Sequence, residues 1–108
     1  MAAAAMVFLL GGNEDQQKHA AALALKSVLG LVCDPVGGLV EVPCIARNAN
    51  LTAIAITSAN MVLSGIKSFI PFNEVVKAMK QIGSAIPESL RETAEGGLAV
   101  TPTAKKVL

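Results

Sequence analysis

A chain of 108 residues with a formal charge of +1 can form one small domain and carries no basic field for nucleic acid. Aromatic residues make up 3%, with no Trp or Tyr, which excludes a stacking platform for bases or sugars. Charged residues are only 16% against 53% hydrophobic ones, too few charges to cover a small domain standing alone; we therefore expect one layer of a larger assembly, as a homo-oligomer or within a longer polypeptide.

Residues 1–10, MAAAAMVFLL, read as an Ala-rich helix ended by Gly11 and Gly12. This apolar start has no basic n-region and no small-x-small cleavage site, which argues against a secretory signal. Two cysteines without such a signal fit a reducing, cytoplasmic setting. Asn13 is a helix cap, with Glu14 and Asp15 at the positive helix end and Gln16 at the capping-box position. That helix is expected to run to about Leu29, burying Ala21, Leu25, Val28 and Leu29, with Gly30 as its stop.

Residues 31–42 lose periodicity at Asp34-Pro35 and Gly37-Gly38 and read as a loop with a turn of helix inside. Pro43 is expected at the first position of the longest helix, with Ile45, Ala49, Ile56, Ala59 and Leu63 at helical spacing and Gly65 closing it. The uncharged run between Arg47 and Lys67 contains Asn48, Asn50 and Asn60, whose amides would be costly at a bilayer centre, so no membrane span is expected. Asn73 is expected to cap a helix with Val75, Val76, Met79 and Ile82 inward and Gly83 as its stop. Pro87 would open a last helix, PESLRETAEGG, and LAVTPTAKKVL would be a surface tail. Helix signals are good and strand signals poor. The expected fold is all-α, a compact bundle of four to five helices with a Cys-containing loop, part of a larger helical domain.

Both cysteines lie in one stretch, CDPVGGLVEVPCIARN, residues 33–48. The plainest role for two lone thiols is burial as small hydrophobes. Structural zinc wants four ligands, and the chain supplies two thiols and one His. The local physics also favours ligation. Cys44 falls in the first turn of a helix, where free amides and the dipole lower a thiol pKa. Gly37 and Gly38 permit close backbone approach, and such a loop suits an anionic iron–sulfur cluster, although two ligands alone are insufficient.

This motif resembles the signature of the iron–sulfur-dependent L-serine dehydratases: a CDP, a Gly-containing loop, VPC eleven positions after the first Cys, and RN. LGLVCDPV, SFIP and PESLRETAEGGLAVTPT resemble the final portion of that family's α domain or α subunit, so the likeness covers most of residues 1–108. Cysteine desulfidase-like proteins are a related but weaker resemblance. The resemblance implies a lyase of amino-acid degradation and gluconeogenesis that converts L-serine to pyruvate and ammonia. It implies Cys33 and Cys44 as ligands of a 4Fe-4S cluster, with a third cysteine upstream of the MAAAA stretch. Partners would be L-serine, the remainder of the α domain and the β domain or subunit, with no nucleic acid and no membrane. Asp34, Arg47 and Asn48 match motif positions. Asp34 is expected to hydrogen-bond within the loop, Arg47 to pair with a substrate carboxylate, with the cluster or with an ordinary acid, and Asn48, one turn beyond Cys44, to face the same pocket. By itself this piece is expected to be inactive.

Other residues have ordinary readings. His19, in QQKHA, reads as solvated. Glu88, Arg91 and Glu92 are spaced for a surface network. The four methionines read as filler, and Lys105 and Lys106 as a solvated tail. The competing class is a non-catalytic helical interaction module with structural cysteines.

Overall fold

An uninterrupted Ala-rich stretch followed by Gly-Gly and a capping residue makes a helical corner. In the computed structural model, which describes residues 1–107, α1 spans Ala2–Leu9 and α2 spans Glu14–Lys26. Between them the capping box is complete: Asn13 Oδ1 accepts the Gln16 N–H at 2.8 Å, and Gln16 Oε1 accepts the Asn13 N–H at 2.9 Å. α3 spans Cys44–Leu63, α4 Phe72–Ala85 and α5 Pro102–Val107. The all-α expectation holds, and among the described residues the only β-type pairing is an isolated parallel bridge between Cys33 and Arg91.

The core lies where α1, α2 and α3 meet. Ala3 and Val7, Ala20 and Leu23, and Ala55, Ala59 and Val62 are buried together. Small side chains at these positions bring the helix backbones close, at the cost of a core with little apolar volume. α4 packs on α2 and buries Val75.

Several expected details shift. α3 begins at Cys44 with Pro43 as its cap, and α4 begins at Phe72 with Pro71 as its cap, so Asn73 lies inside the helix. Gly83 does not stop α4, because a helix tolerates one interior glycine at about 1 kcal/mol. The stop is Pro87, which holds Ile86 extended at φ −67° and ψ 131°. α2 ends at Lys26, and a turn leads to Gly30 at φ +81°.

The buried faces are as expected only in part: Ala59 on α3 and Val75 on α4 are buried. On α2 the buried residues are Ala20, Ala22 and Leu23; on α3 Ile45 and Ile56 are exposed, and on α4 Met79 and Ile82 are exposed. PESLRETAEGG does not form a helix. It makes short 3-10 turns at Glu88–Leu90 and Gly97–Val100 with irregular chain between. The tail is more than a surface segment, since α5 buries Ala104.

Candidate functional site

The cysteine loop is built from the backbone outward. The Cys33 N–H donates to the Leu90 carbonyl, and the Cys33 carbonyl accepts the Glu92 N–H, each at 2.9 Å. Both peptide groups of Cys33 are thus committed, and the residue itself remains exposed. Asp34 follows with 2% exposure. One carboxylate oxygen accepts Arg47 Nη1 and the other accepts the Leu98 N–H, both at 2.7 Å. Arg47 Nη1 also donates to the Val32 carbonyl at 3.0 Å, so one guanidinium ties α3 to both sides of Cys33.

Beyond Pro35 a 3-10 turn, Val36–Gly38, reverses the chain. The Val36 N–H then donates to the Val42 carbonyl at 2.9 Å, closing the loop. The Val42–Pro43 peptide is cis, and Cys44 is the first residue of α3, half-buried. Both thiols are free.

The Asp34 carboxyl feels opposing forces. Burial by itself pushes its pKa up, but the Leu98 N–H, the Arg47 hydrogen bond and the Arg47 charge outweigh it and hold the group below the usual carboxylate value. Asp34 is therefore a charged residue locked inside the loop, and of the roles open to Arg47 the geometry shows an ion pair with it.

Asn48 is exposed, and its carbonyl accepts the Thr52 hydroxyl at 2.9 Å. Its side chain joins neither Asp34 nor Arg47. His19 departs from its solvated reading: Nδ1 accepts the Ser68 N–H at 3.1 Å, and Nε2 lies 3.4 Å from Asp15 Oδ2. It ties the α3–α4 connector to α2. Glu88, Arg91 and Glu92 form no surface ladder; the backbones of Leu90 and Glu92 serve Cys33 instead. Sequence reasoning missed this C-terminal contribution. The signal available was Gly96-Gly97, read as a helix stop when it marks close approach of two chain segments.

The family model described as serine dehydratase alpha chain matches residues 1–99. The chain belongs to this family. It is 54% identical over 107 residues to the "Probable L-serine dehydratase, alpha chain" of Bacillus subtilis, a match covering 99% of this chain and 36% of the relative. It is 50% identical over 107 residues to the "L-serine dehydratase, alpha chain" of Peptoniphilus asaccharolyticus, covering 99% and 37%. Against the "L-serine dehydratase" of Streptomyces coelicolor the identity is 45% over 101 residues, covering 93% and 22%. The chain therefore spans about a third or less of the length of these relatives.

Within this family member the loop's donor set fits a thiolate-bound metal cluster in kind. Cys33 is exposed on a fixed backbone, and Cys44 sits half-buried at the start of a helix of 20 residues. In number the set is partial: among the described residues no group of three or more His, Cys, Asp or Glu is arranged to hold a metal ion. No helix among them is long and apolar enough to cross a membrane.

Proposed function

We propose that the chain is the cluster-bearing C-terminal portion of the α domain of an iron–sulfur L-serine dehydratase. The observation that carries this reading is the presence, in a member of this family, of two free thiols on one loop whose peptide groups are tied down on both sides. Cys33 and Cys44 would be two ligands of a 4Fe-4S cluster, and a third cysteine would come from chain ahead of α1. When bound, such a cluster supplies Lewis acidity for loss of the L-serine 3-hydroxyl on the way to pyruvate and ammonia.

The chain's own residues support that chemistry by position. Asp34 and Arg47 keep the loop closed and its charge balanced. Cys44 is presented by a helix N-terminus that tolerates an anionic group. Asn48, exposed one turn beyond Cys44, remains available to the same pocket. The remaining partners would be the rest of the α domain, the β domain or subunit, and a second copy of the enzyme, in a cytoplasmic setting. Surface area supports a covering partner: the chain exposes 7092 Å², where a free-standing globular monomer of this mass exposes about 5,600 Å².

The test is anaerobic iron and sulfide reconstitution of the full-length enzyme with Cys33→Ala and Cys44→Ala. Each substitution is expected to abolish cluster absorption and pyruvate formation from L-serine. If neither changes, the ligand assignment is wrong. The second reading, a helical interaction module with structural cysteines, would then take its place; the exposed apolar residues beside the loop, Leu39, Val40, Val42 and Ile45, are the observation in its favour.

A further inference from the structure

We infer that residues 88–98 form a strap that holds Cys33 in its ligating position, with Asp34, Glu92 and Gly97 as positioning residues. The inference deepens the proposed function and rests on Cys33 being a ligand. Three backbone features of this segment converge on two adjacent residues. The Leu90 carbonyl takes the Cys33 N–H, the Glu92 N–H is given to the Cys33 carbonyl, and the Leu98 N–H is given to the Asp34 carboxylate. Two of these contacts require unusual backbone. Glu92 is the only non-glycine with positive φ among the described residues, at +61°, a conformation that persists only where its surroundings enforce it. Gly97 has φ +58°, and a Cβ there would overlap the Asp34 carboxylate. At Gly96 a Cβ would approach the Ser89 carbonyl oxygen to 2.7 Å.

The segment gave up helix formation to make these contacts. In place of helical bonds it gives the Glu92 and Leu98 N–H groups and the Leu90 carbonyl to the cysteine loop, and Thr93 Oγ1 caps the first turn by donating to the Ser89 carbonyl at 2.9 Å. A metal ligand whose backbone is clamped from a distant segment loses less freedom on binding, which is the usual work of groups behind a ligand.

The experiment compares the full-length α chain with its Gly97→Ala and Glu92→Val variants. Gly97→Ala pushes Asp34 away, and Glu92→Val places a β-branched residue at positive φ. Amide hydrogen exchange at Cys33 is expected to quicken by about fivefold or more, the scale of losing one modest interaction. After anaerobic reconstitution, a chelator is expected to strip iron about tenfold faster or more, with helical circular dichroism little changed. If exchange at Cys33 is unchanged, there is no strap. If exchange quickens but iron loss does not, the strap does not position a ligand. Either result overturns the inference. Should Gly97→Ala fail to fold, Glu92→Val decides. Cys33→Ala separates the two levels: if it retains iron as the parent does, the proposed function fails and this inference with it, whereas failure of the strap alone leaves Cys33→Ala deficient in iron.

Discussion

Asp34 accepts one N–H from Leu98 and one from Arg47, both at 2.7 Å, while itself shielded from water. Removing the carboxylate leaves the Leu98 N–H without its acceptor and takes from Arg47 its ion-pair partner. Asp34→Ala is therefore expected to cost about 2–3 kcal/mol, measured by urea unfolding. Asp34→Asn should cost less, because the amide retains one acceptor. The pH dependence has a definite sign. The folded-state pKa lies below the unfolded value of about 3.9, so over that interval the unfolded state binds more protons. The stability Asp34 contributes is fully present above the unfolded pKa and is lost as pH falls through the folded one. Stability measured below about pH 4 should fall less steeply in Asp34→Asn than in the parent. The Asp-Pro turn suggested a bond within the loop, but the carboxylate's partners lie outside it, on Arg47 of α3 and on Leu98, 64 residues away.

At the scale of elements, one imidazole ties the connector between α3 and α4 to α2. His19 Nδ1 accepts the Ser68 N–H, and Ser68 Oγ donates to the Ile70 carbonyl at 2.6 Å. His19→Ala would orphan a half-buried amide, at a cost of about 1 kcal/mol, and the Ser68 amide should exchange faster while those inside α3 keep their protection. Unchanged exchange at Ser68 would show that the tether carries nothing. Helix starts were read well where the signal is local: Asn13 and Gln16 satisfy each other within one turn. Helix faces were read poorly. α1 is apolar all round and buries only Ala3 and Val7, and α2 carries alanines on several faces, so periodicity could not choose among them. PESLRETAEGG shows the same limit from the other side, because its helical propensity yields to contacts with residues 33 and 34.

The whole molecule measures 49 × 25 × 15 Å, a slab little thicker than one helix with its side chains. Its surface carries apolar side chains that a free-standing protein would cover. Phe69 is 93% exposed and Val40 74%, and Phe8 and Leu9 lie open at the end of α1. With so few charges to oppose association, the 108-residue chain by itself is expected to self-associate as concentration rises in sedimentation velocity, and to release no pyruvate from L-serine. A monodisperse monomer at high concentration would count against the first expectation, and turnover would overturn the second.

Composition and local motif chemistry alone determined the all-helical class, the capped α1–α2 corner and the family-like cysteine stretch, since each depends on residues within a turn or two of one another. Only the tertiary structure decided which helix faces are buried, that Arg47 spends its charge on Asp34, and that residues 88–98 return to clamp Cys33. The physical reason is the same in each case. A peptide N–H has no sequence signature for a partner on a distant segment, and a chain rich in alanine leaves the choice of buried face to the packing of its neighbours.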